Sequence, residues 1–130
     1  MREIKFRAWE ESEKRMYADI QKGIWEDPDD WLYFGDILGL ERFKVMQYTG
    51  LKDKNGREIY EGDIIICRKY IDGNIVEYTR ERGYVNCAFG AFGLHRKQGY
   101  YRPFKDWLED YEFEVIGNIH DNPGLLEVAE

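Results

Sequence analysis

The amino-acid sequence predicts a mainly β protein (β-rich α+β at most), built as a small antiparallel barrel or sandwich. Three features of the 130-residue chain support this fold class. Apolar and polar residues alternate in short stretches, 13 glycines against 3 prolines mark the turns, and no long stretch has the 3.6-residue period of a helix. With 43% hydrophobic and 16% aromatic residues, a chain of this length can form a dense core without disulfides or a metal.

The chain is predicted to begin with a β-hairpin. From Ile4 to Trp9 the side chains alternate, with Ile4, Phe6 and Ala8 on one face, which is the two-residue period of a half-buried strand. Residues 10–14 form a polar turn, and residues 15–20 can return as a second strand. The first 20 residues are therefore expected to pair with one another.

Residues 21–40 have no clear period, but they are strongly apolar around an acidic loop. Residues 26–30 read Glu-Asp-Pro-Asp-Asp, which predicts a loop or the start of a short helical turn. The surrounding aromatic residues are too many for a solvated linker, so the stretch either covers the core as a lid or presents a surface to a partner. The candidate protein-interface residues are Trp25, Trp31, Tyr33 and Phe34.

The next segment is predicted to contain two turns that lead into a buried strand. Residues 45–49 are extended, and Asn55-Gly56 predicts a type I′ turn, in which both central residues have positive φ. Gly62-Asp63 predicts a tight turn in which the Asp63 carboxylate accepts a hydrogen bond from the turn's own backbone. The apolar run from Ile64 to Cys67 then predicts a strand that is buried on both faces.

The remaining residues predict short strands separated by turns. The strands are expected at residues 74–80, 84–89, 92–96 and 113–119. Glu81-Arg82-Gly83 is expected to form the turn between the first two. Residues 103–108 fit either a helical turn or a strand edge, and the apolar tail Leu125-Leu126 is expected to dock on the body of the domain.

Composition argues against several classes of function. The formal net charge is −7, with 26 acidic and 19 basic residues, so most of the surface repels a phosphate backbone and nucleic acid is a disfavoured partner. Cys67 and Cys87 are too few for a disulfide framework, and each is expected to be a small apolar strand residue in a reduced compartment. The first 17 residues lack the apolar core of a signal sequence, and the longest apolar run has four residues. We therefore expect a cytoplasmic protein with no membrane partner.

No catalytic residue, metal site or cofactor is predicted, and we expect a protein that is not an enzyme. Thr49-Gly50 lacks the glycine run and the following helix of a phosphate-binding loop. The three carboxylates between residues 58 and 63 could approach a divalent cation, but they are too few for a calcium loop and are expected to serve the turn. His95 and His120 have no neighbour in sequence that would complete a zinc site or a nucleophilic pair.

A basic and aromatic stretch supplies an alternative binding surface. Between residues 80 and 105, arginines and lysines are interleaved with tyrosines and phenylalanines, as in barrels that stack single-stranded bases and contact phosphates. The plainer interpretation makes the aromatic residues core and the cations a solvated rim. The candidate nucleic-acid residues are Arg80, Arg82, Arg96, Lys97, Tyr100, Tyr101 and Arg102.

Three segments together resemble the YopX family of phage and prophage proteins. The most specific runs from Val45 to Ile65 and reads VMQYTGLKDKNGREIYEGDII. The opening residues 2–9, REIKFRAW, and the closing residues 113–123, FEVIGNIHDNP, are similar to the two ends of that family. The segments occur in the expected order, whereas residues 20–43 and 80–105 follow no pattern of the family.

The resemblance implies a fold and an origin rather than a chemistry. It implies an SH3-like barrel over residues 45–130, preceded over residues 1–44 by a hairpin and an aromatic lid or interface segment with a short helix or irregular structure. It also implies self-association, and it brings no established enzymatic activity and no catalytic residues. We therefore expect a non-enzymatic phage or prophage accessory protein of the bacterial host cytoplasm. It would act through protein contacts, as a homo-oligomer or with a host or phage protein, and single-stranded nucleic-acid binding through the Arg80–Lys105 face is the alternative.

Overall fold

The computed structural model describes residues 3–27, 29–88, 90–96, 101–106 and 109–126. These residues form a mainly β protein of antiparallel sheets, and the one α-helix in this part of the chain is short. The chain divides into two compact units, Met1–Gly50 and Leu51–Glu130, whereas the predicted boundary followed residue 44. Among the described residues, no helix has both the length and the apolar character needed to cross a membrane.

The first unit is built from short strands and one helical segment. Its elements are β1 Phe6–Glu10, β2 Arg15–Tyr17, β3 Ile24–Asp27, β4 Asp30–Leu32, α1 Phe34–Leu38 and β5 Phe43–Lys52, which continues into the second unit. One antiparallel sheet contains the order β2-β1-β5, in which Ala8 lies opposite both Tyr17 and Val45. β3 and β4 form a separate two-stranded hairpin.

The predicted N-terminal hairpin is confirmed, but its faces and its end differ from the prediction. Ile4 is 63% exposed because it precedes Phe6, the first paired residue of β1. Trp9 is only 5% exposed, although the alternation puts it on the face opposite Ile4, Phe6 and Ala8. Trp9 lies where β1 is paired on both sides. The second strand ends at Tyr17 because Asp19 takes a positive φ of 50° and begins a 3₁₀ turn over Ile20–Lys22.

The turn between β1 and β2 is organised by the buried carboxylate of Glu10. Its Oε1 accepts hydrogen bonds from the Ser12 hydroxyl (2.6 Å) and the Ser12 N–H (3.2 Å), and its Oε2 accepts one from the Glu13 N–H (2.5 Å). The Ser12 hydroxyl has the largest effect and lowers the pKa of Glu10. Desolvation opposes it, and the backbone donors with the charge of Arg42 lower the pKa further. The folded turn therefore favours the ionised form.

The core of the first unit takes residues from the sheet, the hairpin and the helix. Its buried members are Ala8, Tyr17, Ile20, Ile24, Ile37 and Phe43. Ile24 and Ile37 belong to the stretch that was predicted to be either a lid or an interface. That stretch therefore contributes part of the core of its own unit, and only its outward side chains remain candidates for an interface.

The second unit is dominated by one five-stranded antiparallel sheet. The strands of this unit are β6 Glu58–Tyr60, β7 Asp63–Ile71, β8 Asn74–Ala88, β9 Ala91–His95, β10 Tyr101–Pro103 and β11 Tyr111–Asn118, and all of them except β6 belong to this sheet. The order β10-β9-β8-β7-β11 forms a half-barrel. The predicted strand from Ile64 to Cys67 is confirmed as buried on both faces, since all four residues are at most 6% exposed. Cys87 also lies on a strand, but it is exposed because it is near the end of β8.

The predicted turn at Glu81-Arg82-Gly83 is wrong, because these residues lie inside the continuous strand β8. Gly83 is required there by close packing: a Cβ atom on it would lie 2.7 Å from the carbonyl oxygen of His95. The chain instead reverses at Asp72-Gly73, where φ is +53° and +79° and Ile71 pairs with Asn74. These positive φ values are those of a two-residue type I′ hairpin turn.

The last two predictions for this unit agree with the structure. Of the predicted region 103–108, Pro103 ends the edge strand β10 and residues 104–106 form a 3₁₀ turn, so both alternatives occur in succession, and residues 107–108 lie outside the described residues. The apolar tail docks: Arg82 Nη1 donates a 2.8 Å hydrogen bond to the carbonyl oxygen of Leu125. A Cβ atom on Gly117 would lie 2.9 Å from Leu125 Cδ1, which shows how closely the tail approaches β11.

Candidate functional site

The β3–β4 hairpin places its aromatic residues on the face that points away from the core of the first unit. In this hairpin Ile24 pairs with Leu32, and Trp25 pairs with Trp31. Ile24 is buried and Leu32 packs against the same core, so the alternation of a strand turns both tryptophans outward. The strand pairing, rather than the sequence spacing, brings these two rings together.

Trp25, Trp31 and Tyr33 form a row of rings that we call the aromatic ladder. The Trp25 and Trp31 centroids are 4.8 Å apart at 61°, and those of Trp31 and Tyr33 are 6.2 Å apart at 84°. Both contacts are edge-to-face, which is a favourable arrangement of aromatic quadrupoles. The outer rings project into solvent, with Trp25 62% and Tyr33 69% exposed.

The middle ring of the ladder rests on a glycine that the sequence analysis had not singled out. Gly23 has φ of +91°, and a Cβ atom there would lie 2.1 Å from the Trp31 ring. Only glycine combines that backbone conformation with that space. A glycine shortly before an aromatic strand is a weak sequence signal, because its meaning depends on the cross-strand position of Trp31.

Phe34, the fourth predicted interface residue, does not join the ladder. Tyr33 precedes α1, and its N–H donates a 3.1 Å hydrogen bond to Asp36 Oδ2. The helix starts at Phe34 and turns the Phe34 side chain inward. The centre of its ring lies 4.9 Å from that of Phe6, and it packs against the core of the first unit. The structure thus brings three of the four predicted residues together.

The segment that contains the ladder is acidic. Residues 23–41 contain six Asp and Glu residues and no Lys, Arg or His. The carboxylates of this segment that the structure describes as exposed are Asp29, Asp30, Asp36 and Glu41. Exposed aromatic rings together with exposed carboxylates of the same segment favour cations over anions.

The predicted basic and aromatic face forms a second row of rings, in the second unit. Tyr84 on β8, His95 on β9 and Tyr101 on β10 are direct cross-strand neighbours. The Tyr84 and His95 rings are stacked at 5.1 Å and 16°, and the Tyr101 ring is 6.3 Å from His95. The Tyr101 hydroxyl donates a short hydrogen bond to the carbonyl oxygen of Ala91, so this ring is held against the start of β9.

Three of the cations that were predicted for this face contact other groups in the described part of the second unit. Arg82 is bonded to the Leu125 carbonyl, Arg96 Nη1 lies 3.9 Å from the Glu81 carboxylate, and the Arg102 guanidinium lies 5.4 Å from the centre of the Tyr111 ring. Arg80 is half-buried on β8. Lys97 and Tyr100 lie outside the described residues. Arg82, Arg96 and Arg102 therefore each contact a different group within the second unit.

The segment that carried the family resemblance forms turns that are tied by buried carboxylates. Asp53 is 7% exposed, and its oxygens accept hydrogen bonds from the N–H groups of Asn55, Arg57 and Val115, each 2.9 Å long. Desolvation, the largest effect, raises the pKa of Asp53, but the three backbone donors and the charge of Arg57 more than offset it. The pKa of Asp53 is therefore lowered.

Two turn predictions in this segment have different outcomes. The Asp63 carboxylate accepts a 2.8 Å hydrogen bond from the Tyr60 N–H, and Gly62 has φ of +85°, as predicted. The type I′ turn at Asn55-Gly56 is wrong: Gly56 has φ of +82°, but Asn55 does not have a positive φ. The Gly56 N–H bonds to the Asp53 carbonyl (3.0 Å), so the central pair is Lys54-Asn55 and the glycine follows it.

A cleft of about 260 Å³ lies beside this turn. Its lining includes Lys54, Tyr70, Tyr111 and Glu112. Lys54 Nζ lies 3.8 Å from the carboxylate of Glu112, and Arg68 Nη1 approaches the same carboxylate at 3.4 Å. Lys54 and Glu112 at the cleft therefore have ion-pair partners within the second unit.

The two histidines occupy different places in the second unit. His95 belongs to the ring row of the second unit, and the His120 N–H donates a 3.0 Å hydrogen bond to Asn118 Oδ1 in a turn. Within the described ranges, no group of three His, Cys, Asp or Glu side chains is placed to hold a metal ion.

With this geometry in view, comparison with known proteins decides the family. The sequence profile described as YopX protein matches residues 5–127. The chain belongs to the YopX family. The match confirms the resemblance found in the sequence, and it assigns no specific role to this member of the family.

Two crystal structures are similar to this YopX family member over nearly the whole chain. Protein EF1440 from Enterococcus faecalis is 28% identical, with a TM-score of 0.60, covering 97% of this chain and 99% of that one. Protein yopX from Bacillus subtilis is 20% identical, with a TM-score of 0.62, covering 97% and 98%. The second likeness concerns the fold alone. Comparison with curated proteins gives no significant match.

Proposed function

We propose that this chain is a non-enzymatic accessory protein of a phage or prophage, which works in the host cytoplasm through protein contacts made by the aromatic ladder. The supporting observation is the exposure of Trp25 and Tyr33, at 62% and 69%, on a hairpin whose middle ring is fixed over Gly23. Burying a large side chain of this kind contributes roughly 1.5–3 kcal/mol. Because rigid rings lose little entropy on binding, a pair of them is sufficient for an interface hot spot.

Self-association is part of the proposal, and so is the finer description of the fold. A five-stranded antiparallel half-barrel is the kind of sheet from which an SH3-like barrel is built, and this supports the SH3-like assignment. A contact between copies that uses the ladder would depend on Trp25 and would be concentration-dependent.

The solution mass tests the proposal directly. Size exclusion with multi-angle light scattering, run over a wide concentration range, is expected to show an oligomer that Trp25→Ala weakens at least tenfold. Tyr70→Ala is the matched control, because Tyr70 is 41% exposed in the second unit and lies outside the ladder. A strict monomer at all concentrations contradicts self-association, and equal effects of the two variants contradict the role of the ladder.

Single-stranded nucleic-acid binding is the second candidate, and the stacked Tyr84–His95 pair favours it. The internal partners of Arg82 and Arg96 and the net charge of −7 weigh against it. Binding of a mixed oligonucleotide at low salt is the test, because screening of the charges is weakest there. Absence of binding under that condition removes the candidate.

A further inference from the structure

The surroundings of the aromatic ladder define the chemistry of the partner that it fits. We propose that the ladder binds a cationic segment of a partner protein, in which a lysine or arginine side chain lies against the rings of Trp25 and Tyr33. This inference rests on the proposed function, because it takes the ladder to be the contact surface. It adds the charge and the type of side chain of the occupant.

Exposed indole and phenol rings attract cations at their faces. A cation within about 6 Å of such a ring is attracted by its quadrupole, and tryptophan is the strongest partner. In the ladder Trp31 meets both neighbours edge-to-face, so the outer rings are held at steep angles to it and keep exposed surface. Two fixed and exposed rings with a third between them form a surface suited to an ammonium or guanidinium group.

The acidic residues near the ladder in sequence complement the charge of a cationic partner. Six acidic residues and no basic residue fall within residues 23–41, a segment that lies between Lys22 and Arg42. Asp30 is exposed at the end of the hairpin that carries Trp25 and Trp31. At physiological salt, charges interact over roughly 8 Å, so an exposed carboxylate on the residue next to Trp31 adds to the attraction of a cation.

The same charge argues against two ladders facing each other. Such a contact would bring two copies of the acidic segment together, and like charges across an interface oppose association. A segment rich in lysine or arginine relieves the repulsion and also supplies the cation for the rings. The occupant that fits this surface is therefore a basic segment of a different protein, and a second copy of the chain is an outcome for the test to detect.

The experiment measures binding of a dye-labelled (Lys-Gly)5 peptide by fluorescence anisotropy, at protein concentrations below any self-association. The comparison peptides are (Glu-Gly)5 and the same lysine peptide with every side-chain amine acetylated, which removes the charge and keeps the length. Binding of the lysine peptide alone, weakening as salt rises, is the expected result. Equal binding of the acetylated peptide overturns the inference.

Variants separate attraction to the ring from simple burial of apolar surface. Trp25→Phe is expected to keep binding within about threefold, whereas Trp25→Leu, which is apolar but has no ring, is expected to weaken it about tenfold. Asp30→Asn is expected to weaken binding about threefold, and the exposed Asp110→Asn, which changes the net charge equally, is expected to leave it unchanged. Circular dichroism shows whether each variant folds. Equal binding by Trp25→Leu and the wild type overturns the inference.

The outcomes distinguish this inference from the proposed function. If the lysine peptide does not bind but Trp25→Ala still reduces self-association, the ladder is an interface whose occupant is a second copy, and the cationic partner is excluded. If the peptide does not bind and Trp25→Ala has no effect on solution mass, both proposals fail. If the peptide binds and requires Trp25, the cationic partner and the role of the ladder as a protein-contact surface are supported, and the solution mass decides self-association separately.

Discussion

The most informative single residue is Asp53, because one buried carboxylate connects a turn to a distant strand. Its three backbone donors belong to Asn55, Arg57 and Val115, and the last of these is 62 positions away in sequence. Both oxygens of the Asp53 carboxylate accept hydrogen bonds from backbone N–H groups, so a side-chain donor at this position would face another donor. This explains why an acidic residue, rather than its amide, is suited to the position.

We expect Asp53→Asn to destabilise the protein by about 1–3 kcal/mol. Either orientation of the amide would direct its NH₂ group at a backbone N–H, which leaves a buried donor unsatisfied. Urea unfolding followed by circular dichroism measures the change. Asp110→Asn is the control, since Asp110 is exposed. A loss no larger than that of the control would contradict the role given to Asp53.

At this scale the sequence predicted local hydrogen bonds and missed distant ones. The bond from Tyr60 to Asp63 was predictable, because donor and acceptor are three residues apart in a glycine turn. The contact of Asp53 with Val115 depends on where β11 lies, and no local pattern contains that information. For the same reason Asn55-Gly56 suggested the wrong turn type: Asp53 sets the backbone of residues 55 and 57.

Among the elements, β8 shows how tertiary packing overrides a local turn signal. The sequence Glu81-Arg82-Gly83 has the composition of a turn, yet the strand runs through it for 15 residues. Gly83 serves instead as a point of close approach to Leu94 and His95 on β9. Asp72-Gly73, which makes the actual hairpin, has the same kind of local signal. Only the pairing of β8 with its neighbouring strands distinguishes the strand segment at residues 81–83 from the turn at residues 72–73.

We expect Gly83→Ala to destabilise the sheet by about 1–3 kcal/mol, the usual cost of overpacking a core. The new methyl group would lie 2.7 Å from the His95 carbonyl and 2.8 Å from Leu94 Cδ1, so β8 and β9 would have to separate. Thermal unfolding measures the effect. Gly124→Ala is the matched control, because no atom lies within 4 Å of its new methyl group. Equal melting temperatures for the two variants would refute this account of Gly83.

The candidate site follows the same rule at the level of the hairpin. The sequence identified the aromatic residues and the acidic loop between them, since both are compositional features. It did not separate Phe34 from the ladder, because the start of α1 after Tyr33 decides which side chain turns inward. Likewise, Tyr84, His95 and Tyr101 are neighbours only because of the register of β8, β9 and β10, which the sequence does not specify locally.

For the molecule as a whole, the two buried carboxylates make stability depend on pH. The pKa of Glu10 lies below its ordinary value of 4.5, and that of Asp53 below 3.8. At pH values between the folded and unfolded pKa, the unfolded chain binds more protons than the folded one, so stability falls as pH falls. The stabilisation contributed by the ionised Glu10 and Asp53 carboxylates is fully present above about pH 5. It is lost as the pH falls through their lowered pKa values in the folded protein.

We therefore expect the double variant Glu10→Gln/Asp53→Asn to be less stable than the wild type at pH 7 and to lose less of its remaining stability between pH 5 and pH 2. The two stability curves should converge at low pH, because the wild-type carboxylates are then protonated and cannot accept as many hydrogen bonds as their ionised forms. Urea unfolding at a series of pH values measures both curves. Glu11→Gln/Asp110→Asn removes two exposed charges instead and should run parallel to the wild type. If the curve of the buried double variant is parallel to the wild type as well, acid unfolding is governed by other carboxylates.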